Sequence, residues 1–222
     1  MGCDGPPPRR QDDIMLRNII VAAMLVAFVA PASPASGPSD AALKELQRTF
    51  TVHGKPVPPE VFGDFGDADM ADSGPIRVTI DLLAAIDSNL YYGDIAVAPN
   101  GWTSQKKLVQ SGAATATEET GYKFEGVTRN GLLVVMASFS GGGSGAFVSL
   151  HILDAVAAHG FDSDGKRIDR LNLTILRSIP LGDRWAGSIA IANDTIAVTS
   201  VPHDPPSSPR QHGTELFQAM RP

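Results

Sequence analysis

The sequence predicts a mainly β fold, an antiparallel sandwich or open barrel carrying one short N-terminal helix after a signal peptide. Three observations lead there. From Ile76 onward apolar residues recur at every second position, as in Ile76, Val78 and Ile80 between Arg77, Thr79 and Asp81. The 222 residues include 22 Gly and 17 Pro, which favour turns and short strands. Hairpin turn residues then separate the alternating segments, most clearly Asn130-Gly131.

The first 35 residues read as the signal peptide. Ile19 to Ala30 is an unbroken apolar run of twelve residues. A membrane-spanning helix needs about 20, whereas this length suits a secretory leader core. Arg17 precedes it, and cleavage is expected after Ala32 or Ala35. Residues 1–14 are Pro-rich and acidic, unlike a leader, so Met15 is the expected start and 1–14 is read as spurious. Arg9-Arg10 lacks the apolar residues of a twin-arginine signal, and Cys3 precedes the apolar core, where a lipid-anchoring Cys would follow it.

Residues 36–75 are expected to hold a short helix, a Pro-rich turn and an acidic loop. Ser39 or Asp40 is placed to cap AALKELQRTF, whose Leu43, Leu46 and Phe50 share one face. TVHGKPVPPE (51–60) reads as the turn and GDFGDADMADSG (63–74) as the loop.

Residues 76–201 form the β domain, read as about seven to nine strands. Tyr122 and Phe124 alternate, and so do Leu171, Leu173 and Ile175, then Ile189 and Ile191, then Ile196 and Val198. GLLVVMASF (131–139) is nearly all apolar, which suits a strand buried on both faces. GGGSG (141–145), Asp164-Gly165 and Asn193-Asp194 are the expected turns, and LLAAIDSN (82–89) reads equally as helical turn or strand end. The tail 202–222 is expected to be irregular and Pro-rich.

Composition bounds the function. Hydrophobic residues are 43%, enough for a core at this length. The net charge of −6 argues against nucleic-acid binding and against attraction to anionic membranes. The lone Cys3 lies ahead of the cleavage positions, so cysteine metal sites, cysteine nucleophiles and disulfides have no residues in the mature chain.

Asp64, Asp67, Asp69 and Asp72 are the candidate metal ligands, because calcium takes several oxygens from flexible loops. Their spacing is not that of an EF-hand and no Glu closes the site, so a solvated acidic loop whose Asp side chains cap local turns explains the pattern better. Asp162-Ser163-Asp164-Gly165 begins like a calcium loop but reads better as a tight turn. GGGSG lacks the Lys and the following helix of a phosphate loop, and Gly143-Ser144-Gly145-Ala146 lacks the features of a nucleophile elbow. His151 shares a strand face with Ser149; Asp154 or Asp183 would be needed to complete a Ser-His-Asp set. Asp183, Arg184 and Trp185 are candidate ligand contacts, or a turn in which the Asp-Arg pair bonds backbone groups and Trp185 anchors the hairpin.

The GGGSG hairpin with Phe147-Val148-Ser149-Leu150, and the LGDR turn (181–184), resemble small exported bacterial proteins of uncharacterised function, of an alphaproteobacterial type. GKPVPPEVFGDFGD (54–67) and SNLYYGDI (88–95) are similar to segments of the same group. The resemblance implies a Cys pair in the tail, where Ser207-Ser208 stands here, and it brings no activity.

The expectation is therefore a periplasmic or secreted, non-catalytic binding module for an envelope protein or small ligand, without a transmembrane anchor after cleavage. The alternatives are a hydrolase using Asp and His side chains, tested at Asp67 and His151, and a calcium-stabilised envelope protein. No other cofactor is expected.

Overall fold

The computed structural model describes residues 37–69, 78–87, 91, 93–111, 114–201 and 213–221. The leader run 19–30, the cleavage positions, Asp72 and Ser207-Ser208 lie outside them. Among the described residues no helix is long and apolar enough to cross a membrane.

The fold is mainly β and antiparallel throughout. Three helices, α1 (Pro38–Thr49), α2 (Glu60–Asp69) and α3 (Leu82–Asp87), and three short strands, β1 (Thr51–Val52), β2 (Lys55–Pro56) and β3 (Thr79–Asp81), fill the first half. Then come β4 (Ile95–Val97), β5 (Trp102–Ser111), β6 (Ala114–Val127), β7 (Leu133–Ser140), β8 (Phe147–Phe161) and β9 (Arg167–Asp183). The chain ends in β10 (Gly187–Ala192), β11 (Thr195–Ser200) and β12 (Thr214–Gln218). The central sheet has the order β3-β9-β8-β7-β6-β5-β4, and β10-β11-β12 form a second sheet. The central sheet stays open, with two edges, and the small sheet covers part of one face.

Two cores follow from the alternation of side chains across the central sheet. On one face Leu133, Val135, Leu153, Leu171 and Leu173 meet Leu46 and Phe50 from the first helix and its cap, and Val61, Phe62 and Phe65 from α2. On the other face Leu132, Val134, Leu150 and Ile152 meet Ile196 and Val198 of β11. The apolar run of β7 is thus buried on both faces, as its composition predicts. The second sheet is stitched down by the Asn-Gly turn: Asn130 N–H donates to the Asp194 carboxylate at 2.8 Å, and the Asn130 side-chain amide to the Ala219 carbonyl at 2.7 Å. Arg177 stacks over the Phe217 ring at 5.0 Å.

Three expectations change. The start of α1 is set by Gly37, with Pro38 in the first turn, rather than by Ser39 or Asp40; Asp40 instead reaches back to accept the Gly37 N–H at 3.2 Å. The acidic loop is helical as far as Asp69. Val61, Phe62 and Phe65 all enter the core from one side of α2, and their burial outweighs the loop preference of the intervening glycines. The tail is not wholly irregular: Thr214–Gln218 pairs with β11, placing Phe217 opposite Ile196 and Ala219 in the second core. The β domain 76–201 holds nine strands, β3 to β11, within the expected seven to nine, and β1, β2 and β12 lie outside it. LLAAID (82–87) resolves to a helix.

Candidate functional site

The residues singled out from sequence are spread over four places. Asp64, Asp67 and Asp69 lie within α2 rather than on the loop expected from sequence, and Asp72 lies outside the described residues. Among the described residues no group of three or more His, Cys, Asp or Glu side chains could hold a metal ion. Asp162-Ser163-Asp164-Gly165 is the tight turn between β8 and β9. The Asp162 carboxylate accepts the backbone N–H of Asp164 at 3.0 Å and of Lys166 at 2.8 Å.

Asp183 and Arg184 bond backbone groups, as the turn reading requires, but those of the glycine loop rather than their own turn. Leu181, Gly182 and Asp183 complete β9, and Arg184 turns away. The Asp183 carboxylate accepts the Ala146 N–H at 2.7 Å, the Arg184 N–H donates to the Ala146 carbonyl at 2.7 Å, and the Arg184 guanidinium donates to the Ser144 carbonyl. Trp185 packs on the second core and donates its indole N–H to the Ser200 hydroxyl at 2.9 Å.

His151 is buried at 5% exposure, its ring stacked 5.7 Å from that of Phe62 on α2. Its Nδ1 has no hydrogen-bond partner among the described residues, and burial lowers its pKa to about 4, so the imidazole is neutral at pH 7. Ser149 shares its face, but the two Asp partners are held elsewhere: Asp154 pairs with Arg221 at 3.1 Å, and Asp183 holds the glycine loop.

What sequence reading missed is a notch at the β4–β5 edge. Strand β4 pairs with only part of β5, through Ile95 to Gln105, Ala96 to Ser104 and Val97 to Thr103. The Ala98 N–H donates to the Trp102 carbonyl at 2.7 Å, so Trp102 and then Ser104 turn their backbone groups toward β4. Backbone bonding alternates along an antiparallel strand. Leu108 and Gln110 therefore point their N–H and C=O outward, past the end of β4, with no backbone partner among the described residues. An open cleft of about 740 Å³ lies there, lined by Gly93, Asp94, Ala96, Lys106, Leu108 and the Glu60–Lys107 pair. Leu108 is 74% exposed. A Leu in an alternating strand gave no sequence signal of this, because exposure depends on where β4 stops.

Comparison with protein-family models, with curated proteins and with solved structures finds no match to this chain.

Proposed function

We propose that this chain is a non-catalytic binding module exported to the cell envelope, which holds a partner at the β4–β5 edge. The observation that carries the reading is the exposed Leu108 on a strand edge whose outward backbone groups have no partner among the described residues. Native sheets usually blunt such edges with charge, bulges or a covering loop. Lys106 and Lys107 stand here, yet each lies within 4 Å of an acid, Glu119 at 3.6 Å and Glu60 at 3.7 Å, so their charge is locally offset. Export rests on the apolar run 19–30 and its flanking residues, and the likeness to small exported bacterial proteins agrees with it.

Site-specific photo-crosslinking tests the reading. A crosslinker at position 108 is expected to capture an envelope partner that one at Val156, also exposed but on β8, does not. Capture should fail in Leu108→Lys. Turnover of generic esters, glycosides or phosphoesters that disappears in His151→Ala would contradict the reading.

A further inference from the structure

We infer that the notch takes an extended, uncharged segment of another protein, added to β5 as an antiparallel strand collinear with β4. The inference rests on the binding-module reading and names what the module binds.

The first argument is the chemistry of the edge. Leu108 and Gln110 each offer one N–H and one C=O in the plane of the sheet, repeating every two residues, about 6.8 Å. Another extended backbone has the same repeat and matches all four groups, which is the basis of strand addition.

The second argument is that no described strand takes this position. A longer β4 would cover Lys106 to Gln110, but β4 begins at Ile95, and Tyr91 packs against the helix-side core. The chain bends at Gly93, which has φ +116° and sits so close to Gln105 that a Cβ there would lie 2.7 Å from its side-chain nitrogen. The positive φ favours glycine. It breaks the extended backbone at Gly93, just ahead of β4.

The third argument is charge. Two acids, Glu60 and Asp94, and two lysines, Lys106 and Lys107, line the cleft and balance one another. A charged segment would meet a like charge on one side, and a neutral one meets none. Leu108 favours an apolar residue directly opposite, on its own face of the sheet. A second copy of this chain fits worse: the symmetric pairing that keeps clear of Asp94 sets polar Gln110 against Leu108.

The probe is a fluorescent, capped Thr-Thr-Val-Thr-Thr peptide, titrated against the full chain by anisotropy. Saturable binding is expected. Gln110→Pro removes one outward N–H while leaving the bonds to β6 in place, since proline is accepted at edge positions of this kind. It should weaken binding about tenfold with an unchanged melting midpoint. The same peptide N-methylated at its valine should lose binding, and one carrying Lys or Glu for valine should bind less. No saturable binding, or binding unaffected by N-methylation, overturns the inference. So does a concentration-dependent dimer that Gln110→Pro dissolves, which would put a second copy in the notch. If crosslinking at position 108 still captures an envelope partner while the peptide fails, strand addition falls and the binding-module reading stands; if both fail, both fall.

Discussion

The β5–β6 ribbon extends beyond the rest of the sheet, and its two edges are treated in opposite ways. Past Glu119, no strand among the described residues pairs with β6 on its β7 side, because β7 ends at Ser140. The glycine loop fills that gap. A Cβ on Gly142, which has φ +84°, would lie 2.9 Å from the Ala116 methyl and 3.0 Å from the Thr117 carbonyl, so the loop lies against β6. Asp183 and Arg184 hold the loop by its backbone at Ala146 and Ser144. Beside Leu108 and Gln110 of β5 no loop is laid down among the described residues, and Gly93 has a left-handed φ just ahead of β4. The same ribbon thus has one edge closed by a tethered loop and one left open. The difference is the reason binding is proposed on β5, while Asp183 and Arg184 hold the loop against β6.

The largest expected effect comes from breaking the closed edge. Gly142→Val adds a branched side chain where none fits, in a left-handed backbone conformation, and should destabilise by about 2–4 kcal/mol in urea titrations. Aggregation through the uncovered β6 should accompany it.

Next comes acid. His151 lies beneath α2, whose Glu60 forms one wall of the notch. Its folded pKa, about 4, is below the unfolded value near 6.5, so the unfolded chain binds more protons between these limits. Stability from this group is full above about pH 6.5 and declines as pH falls toward 4, by on the order of 3 kcal/mol. Stability measured across this window should decline less steeply in His151→Phe. An equal slope in that variant would mean that other groups govern the acid response.

Releasing the tether is a smaller change. Arg184→Ala should lower stability by about 1 kcal/mol and speed amide exchange at Thr117, without altering β5. Glu45→Gln acts at a distance from both edges. Its carboxylate accepts the Thr51 hydroxyl at 2.7 Å and the Gly54 N–H at 2.8 Å, and these bonds, the Thr51 hydroxyl first, hold its pKa below the usual carboxylate range. That stability is present above the unfolded pKa and is lost as pH falls through the folded one. The variant should therefore lose stability at pH 7 while both edges keep their exchange behaviour. The smallest effect is expected from a chelator, which should leave the melting midpoint unchanged. A fall would favour the calcium-stabilised alternative.

Much of this architecture is written in local residue order. The two-residue alternation marks the long strands, and the apolar run at 131–139 announces the doubly buried β7, because period and run length are properties of neighbouring residues. Asn130-Gly131 and Asp164-Gly165 mark their turns for the same reason. The helix α2 was hidden because Gly63 and Gly66 signal a loop, while the burial of Val61, Phe62 and Phe65 that overrides them is a tertiary effect. Strand β12 was hidden by the prolines ahead of it, since its stability comes from pairing with β11. At the candidate sites, Asp183 and Arg184 were legible as backbone-bonding residues but their partners were not, the bonded Ala146 being 37 residues away in sequence. The notch was illegible: it arises from strands of unequal length, which no single segment encodes.

Amide hydrogen exchange along β5 of the free protein tests the open edge most directly. The account predicts alternation: Lys107 and Val109, bonded to β6, exchange slowly, and Leu108 and Gln110 exchange fast. Slow exchange at all four would contradict it, because the edge would then already be covered.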